Sequence, residues 1–386
     1  MQGVEQKDRK KLILVLLAIA VALALVVYLT GLFGTRSKQM SAKKLRCVAT
    51  QRVTPFGDKV LYYDGDTLFC LSSQGAELWK YPLGSGAGFH ASNSHIAAWV
   101  GANLHIIDRN GRSTYNDSLS ENIQFARVGE KYVAAVIGSN VGSYWIVKDF
   151  SGISVDNEAA PYRESTRSRS KNDEEQTPFK GLMILDLDFF DGGEFLWVTR
   201  LDVSGVVAST VMNIYQVGAM NTGTVELGED ITYRVLFSGG LLNVVNTREV
   251  QQYTYRGLEE NANIRRLVYG WQLIDWETGN FDARMLFAPV FQIADLGLIS
   301  ELRVLQGSIN KRFTLPDGCV GACLKGSTIC AFSSDSLYQA GMGAQRFNAL
   351  KLPSQIESPI TGYLGKLTNG TVLLSSGNEV YALVLP

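Results

Sequence analysis

Beyond residue 46 the chain is built from short runs rich in Val, Ile, Leu, Tyr and Phe, separated by Gly, Asn, Asp and Ser, with no long stretch at helical spacing. The runs follow one plan: an apolar strand, a tight turn, a second apolar strand, a turn containing Gly, and a third strand. Residues 59–83 read KVLYY-DG-DTLFCLSSQG-AELWKYPL, and residues 95–119 read HIAAWV-GA-NLHIIDRNG-RSTYNDSL. Looser versions run from YVAAVI to Gly152 and over residues 195–205, 241–257, 328–342 and 371–386.

The first tight turns centre near residues 64, 101, 140, 204, 247, 335 and 377, so the steps are 37, 39, 64, 43, 88 and 42. The step of 64 contains a polar insertion, and 88 is two steps of 44 with one degraded unit between them. A period of about 40 residues with three to four short strands per unit marks a β-propeller blade. The fold class is therefore all-β, an eight-bladed propeller or a seven-bladed one, with residues 258–318 outside any clear register. The last unit stops at Pro386 after its third strand, and residues near 43–52 are expected to supply the missing outer strand, closing the ring so that no raw edge remains.

The amino terminus has a different pattern. From Leu12 to Thr35 there are 24 uncharged residues, about 36 Å as a helix and enough to cross a bilayer core of roughly 30 Å. The run is longer than a signal-peptide core and lacks a small-residue cleavage site. The expected layout is a cytoplasmic tail (1–11), a transmembrane signal-anchor helix (12–35), a linker (36–46) and the propeller (47–386). Four basic residues precede the span and five follow it before residue 47, so flanking charge leaves the orientation open. A short tail before a large domain favours export, placing the propeller outside the cytoplasm. The upper limit on a linker of residues 36–46 is about 40 Å, so the face the chain joins would look at the membrane.

Of 36 Lys/Arg and 37 Asp/Glu, nine and two fall in residues 1–46, leaving a body with 27 basic and 35 acidic side chains. That balance argues against a nucleic-acid surface. Five cysteines are an odd number. A turn at Gly326-Ser327 would set Cys323 opposite Cys330 at a hydrogen-bonded pair, where a bridge is strained and simple burial is the plainer role.

The segment LFCLSSQGAELWKYPL, with Gly75 four positions before Trp79, resembles the PQQ-type repeat of quinoprotein propellers. LIDWETGNF (Asp275, Thr278, Gly279) resembles that repeat's Asp-x-x-Thr-Gly turn, and IIDRNG (Asp108, Gly111) and VKDFSG (Asp149, Gly152) are looser copies. The tryptophan does not recur: Tyr115, Asp156 and Ala283 stand at the fourth position. The whole layout, and LMILDLDFFDGGEFLWVTRLDVSG (182–205) in particular, also resembles a bacterial family with one amino-terminal span and an exported propeller of unknown function. The resemblance implies a cell-envelope protein and supplies no activity.

Catalytic and cofactor motifs are not found. The chain lacks the adjacent cysteine pair of quinoprotein dehydrogenases, the haem-attachment motif and the nucleophile-elbow and zincin patterns. Three histidines are too few for a multi-His metal centre, and the register sets His105 opposite Ala98 and His95 opposite Asp108. Asp186 and Asp188 would share a strand face, but with Asp191 they miss the calcium-loop spacing. GSGAG (84–88) opens no helix and reads as a link between blades. Residues 153–181 form the polar insertion; its Arg163, Arg167, Arg169 and Lys171, then Asp173, Glu174 and Glu175, make it a mobile surface loop or a docking loop for a partner, on the membrane-distal face.

The expected function is a non-catalytic scaffold or binding module in the cell envelope, with a protein or glycan partner and no cofactor. A surface enzyme acting on glycans or peptides at the channel is the alternative; two carboxylates about 5–9.5 Å apart in a concave mouth would favour it, whereas an apolar patch would favour protein binding. A cytoplasm-facing propeller in signalling is the third possibility.

Overall fold

A computed structural model describes Val21 and residues 40–139, 142–158, 182–203, 206–219, 221–262, 264, 266–293 and 297–386. The first strand is β1 (Ser41–Val48). Blade 1 follows as β2 (Arg52–Phe56), β3 (Lys59–Tyr63), β4 (Thr67–Ser72) and β5 (Glu77–Pro82). Blade 2 is β6 (Gly88–Ala91), β7 (His95–Val100), β8 (Asn103–Asp108) and β9 (Ser113–Ser118). Blade 3 is β10 (Ile123–Val128), β11 (Tyr132–Ser139), β12 (Gly142–Asp149) and β13 (Ser154–Asn157). Blade 4 is β14 (Leu182–Phe190), β15 (Phe195–Asp202), β16 (Ser209–Gln216) and β17 (Asn221–Gly228).

Blade 5 is β18 (Thr232–Ser238), β19 (Leu241–Asn246), β20 (Glu249–Tyr253) and an outer strand in two pieces, β21 (Glu259–Glu260) and β22 (Arg266–Leu267). Blade 6 is β23 (Trp271–Glu277), β24 (Arg284–Pro289), β25 (Ile299–Gln306) and β26 (Ile309–Cys319). Blade 7 is β27 (Gly321–Lys325), β28 (Thr328–Phe332), β29 (Ser336–Gly341) and β30 (Asn348–Lys351). Blade 8 is β31 (Gly362–Lys366), β32 (Thr371–Ser376) and β33 (Glu379–Val384), completed by β1.

Eight antiparallel sheets thus make the eight-bladed β-propeller. β1 pairs with β33 from Ser41–Val384 to Val48–Glu379, joining the two ends of the chain in one blade. Residues 41–46, assigned to the linker from sequence, are therefore strand. Lys43, Lys44 and Arg46 face solvent while Leu45 and Cys47 turn inward. The blade absent from the sequence pattern is β23–β26.

Closure is a packing requirement. There are eight apolar clusters, one between each pair of neighbouring blades. In β3, Val60 and Tyr62 join the cluster with blade 8, while Leu61 and Tyr63 join the one with blade 2. A middle strand buried on both faces reads as an unbroken apolar run, and only a ring covers both faces of every blade. All five cysteines are buried free thiols, with Cys323 opposite Cys330 in the β27–β28 hairpin.

The antiparallel order defines two faces. Turns between second and third strands, and links from one blade to the next, lie on what is here called the upper face. Turns between third and fourth strands lie on the lower face. β1 runs as a fourth strand, so Ser41, its first residue, stands on the lower face beside Val384. Most of the helix predicted over 12–35 lies outside the described residues; among those described, no helix is long and apolar enough to cross a membrane.

Candidate functional site

The residues of the repeat turns hold neighbouring blades together. Asp108 and Asp149 cap the turns between third and fourth strands, accepting the backbone N–H groups of Asn110 and Arg112, and of Ser151 and Ile153, at 2.8–2.9 Å. Gly111 (φ 79°) and Gly152 (φ 87°) complete these turns, each pressed against an aromatic ring of the preceding blade's outer strand, Trp79 and Tyr115. Trp79 also donates its indole N–H to the Arg109 carbonyl at 3.1 Å. Gly75 (φ 80°) lies against Lys43, Lys44 and Leu45 of β1.

This position after the turn glycine has a consistent task with varied chemistry. In blade 3 it is Asp156, whose carboxylate accepts the Gly218 N–H of the next blade's turn at 2.8 Å. Outer-strand residues farther round do the same: Thr222 reaches the Tyr255 carbonyl (3.2 Å), Arg266 that of Gly307 (3.3 Å), and Lys311 those of Met342 and Ala344. Asp275 and Gly279 are placed differently from the other repeat-turn residues. Asp275 lies within β23 at the axis, and Gly279 follows that first strand, so LIDWETGNF turns between first and second strands.

The polar insertion is shorter than its sequence suggests. Ser154–Asn157 form β13, and Glu158 is buried in an ion pair with Arg200 of β15 at 2.7 Å. Arg163, Arg167, Arg169, Lys171, Asp173, Glu174 and Glu175 lie outside the described residues. β13 ends, and β14 begins, on the upper face.

That upper face carries an uneven distribution of exposed apolar side chains. Over blade 4 the β15–β16 connection presents Val203, Val206 and Val207, and Ile231 lies in the next link. Over blade 5, Leu267 and Tyr269 (82% exposed) stand at the link to blade 6. Over blade 6 the connection between β24 and β25 exposes Val290, Phe291 and Leu298. The corresponding turns and links of blades 1, 2, 7 and 8 expose no large apolar side chain among the described residues. The sequence reading missed this patch because Val and Phe in turns look like strand residues.

At the axis, the inner strands form a ring of polar links. Arg52 (β2) donates to the Phe89 carbonyl at 2.6 Å, with its guanidinium 4.2 Å from the Phe89 ring centre. His90 (β6) accepts the Val128 N–H at its Nδ1, 3.1 Å away. Arg127 (β10) pairs with Asp186 (β14) at 2.8 Å, and Arg234 (β18) lies 4.7 Å over Trp276 of β23. Asp275 accepts the Leu324 N–H at 2.7 Å and pairs with Lys366 of β31 at 3.3 Å. Glu277 accepts the Gly326 N–H and pairs with Arg284 and Lys366.

These surroundings shift the ionisable groups. Burial, then the positive charges of Arg127, Arg52 and Arg234, push His90 down to about 3, so it is neutral at physiological pH. Burial pushes Asp188 up to about 6, with the Asp186 carboxylate adding to the rise. Burial also raises Asp275 against the opposing pull of Lys366. Asp186, Asp275 and Glu277 are each committed to a neighbouring strand or blade. Asp188 accepts the Phe189 N–H at 2.8 Å and has no ion pair among the described residues. The register sets His95 opposite Asp108 and His105 opposite Ala98; His95 stacks on Phe150, and Tyr81 bonds to His105. No group of three or more metal-ligating side chains forms among the described residues.

Among solved structures, the chain is similar to BamB from Moraxella catarrhalis, with a TM-score of 0.52, 11% identity and coverage of 90% of this chain and 96% of that one. It is similar to Sqt1 of Saccharomyces cerevisiae (TM-score 0.52, 8% identity, 90% and 100% coverage). It also matches the tricorn protease (TM-score 0.50, 11% identity), where 88% of this chain covers 36% of that one. At these identities the likeness is one of fold, that of the β-propellers. No family model and no curated protein matches the chain.

Proposed function

We propose that this chain is a non-catalytic binding module of the cell envelope, anchored by residues 12–35, with its propeller outside the cytoplasm and its upper face turned to a protein partner. The observation that carries the reading is the exposed apolar patch over blades 4–6, on the face opposite the one β1 joins. Exposed large apolar side chains gathered on one face mark association sites, and they favour a protein over a glycan. The layout agrees with the single-span bacterial propeller family that the sequence resembles. With strand beginning at Ser41, a tether of residues 36–40 reaches about 18 Å at full extension, which would hold the lower face close to the bilayer.

Crosslinked capture from membranes tests the reading. The full chain is compared with V206K/V207K/F291K and with a lower-face control, I153K/Y255K. A partner held by the wild type and the control but lost from the upper-face variant supports the proposal; identical partners for all three overturn it. A deletion probing the insertion as a docking loop must spare Asp156 and Glu158, which hold blade 4. Sidedness is read with D66C, because the native thiols are all buried. Labelling by an impermeant maleimide in intact cells supports export, and labelling only after lysis favours the cytoplasmic signalling alternative.

A further inference from the structure

We infer that the upper mouth of the central channel binds a small dianionic ligand, whose two charged groups are held by Arg52 and Arg234 from opposite sides of the ring. Blades 1 and 5 stand four apart in a ring of eight, so β2 and β18 face each other across the axis. Both arginines lie toward the upper ends of their strands. Arg52 pairs with Tyr63, the last residue of β3, and Arg234 with Val245, one short of the end of β19. Arg127 and Asp188 lie lower, opposite the third residues of β11 and β15.

The donors at this mouth are in excess. A guanidinium carries five N–H donors and no acceptor. Arg52 gives one to the Phe89 carbonyl and otherwise stacks on that ring; Arg234 rests on the face of Trp276. Neither has a carboxylate within ion-pair distance among the described residues, whereas Arg127 is neutralised by Asp186. His90 is neutral with its Nδ1 occupied, and Asp188, the carboxyl in electrostatic range of Arg234, is pushed by burial toward its neutral form. Burial and the nearby Arg127 lower the pKa of Arg52, the mark of a cation short of counter-charge. Within low-dielectric walls such a field concentrates anions. A bound dianion would relieve the repulsion and add charge-assisted hydrogen bonds, which are stronger than the cation–π contacts already present.

The test titrates the full chain in detergent with succinate, and separately with inorganic phosphate, at constant ionic strength. Binding is followed by calorimetry and by the fluorescence of Trp276, with W276F as the blank. The expected result is saturable binding, weakened about tenfold or more in R52Q and in R234Q and unchanged in R112Q, an exposed turn position. Succinate carries two separate charged groups and inorganic phosphate one tetrahedral group, so saturable binding of succinate supports the two-sided hold and saturable binding of phosphate alone overturns it. R52K, which keeps the charge and the stacked stem, is expected to retain part of the affinity, and thermal melts show that each variant is folded. Absence of saturable binding by either anion, or binding that folded R52Q and R234Q leave intact, overturns the inference.

Discussion

Replacing Leu45 by Ala removes the side chain through which β1 fastens the ring. Leu45 is 4% exposed and sits in the cluster between blades 8 and 1, with Val60, Tyr62, Leu71, Leu373 and Val380. The substitution deletes three carbons at about 0.8 kcal/mol each and leaves a cavity between two sheets that cannot fully collapse. Together these give about 3 kcal/mol, inside the ~2–5 kcal/mol range of buried Leu→Ala changes. The matched control is Leu78→Ala on β5, also an outer strand, where the side chain is 46% exposed; it should cost less than about 1 kcal/mol. Urea denaturation of the full chain, followed by tryptophan fluorescence, reads both variants. A clear loss for L45A alone is expected. Equal costs for the two would mean that β1 lies on the surface rather than in the last blade, and the reasoning would fail.

The inner ring should give opposing pH dependences. His90, held at about 3 against 6.5 for the free side chain, costs stability as pH falls below 6.5, because the unfolded chain takes up the proton first. Asp188, held at about 6 against 3.8, costs stability as pH rises from 3.8 toward 6, because the folded chain holds the proton longer. Relative to wild type, H90Q should lose stability as pH rises from 4 to 6 and D188N should gain it, each by up to about 1.4 kcal/mol per pH unit; parallel profiles in denaturation at several pH values would contradict the assignment. Gly152→Ala should destabilise by more than 2 kcal/mol, an order-of-magnitude figure for strained and overpacked sites (~1–3 kcal/mol each), because its Cβ would lie 1.9 Å from the Tyr115 ring at φ 87°. Gly343→Ala, with open space around it, should be close to neutral, and thermal melts of the two variants check both expectations.

What the chain reveals in one dimension depends on whether neighbours in space are neighbours in sequence. The turns near 64, 101, 247, 335 and 377 all fall between second and third strands, and the point 44 residues beyond 247 falls in the connection between β24 and β25. That unit resisted detection because this connection spans residues 290–298, and because its Asp-x-x-Thr-Gly segment turns out of the first strand. β13 falls inside the polar insertion of the sequence pattern because SVDN has no apolar alternation; Asp156 is buried by a hydrogen bond to the next blade instead. β1 starts two residues before the stretch 43–52 that the pattern marks, and ends four residues before that stretch does, because only Leu45 and Cys47 signal an inward face. The arginine ring was not legible at all. Arg52, Arg127 and Arg234 are separated by 75 and 107 residues, and only closure of the ring gathers them at one axis.

The most direct measurement of that closure is a disulfide engineered across it. Ser41 and Val384 are paired between β1 and β33, and neither is buried. In S41C/V384C, mild oxidation should yield a crosslinked species of altered mobility on a non-reducing gel, with a peptide joining the two ends of the chain by mass spectrometry. S41C/E379C, whose residues lie at opposite ends of the same strand pair, should yield none. Crosslinking in the control but not in the matched pair, or in neither, would contradict a ring closed by its first strand.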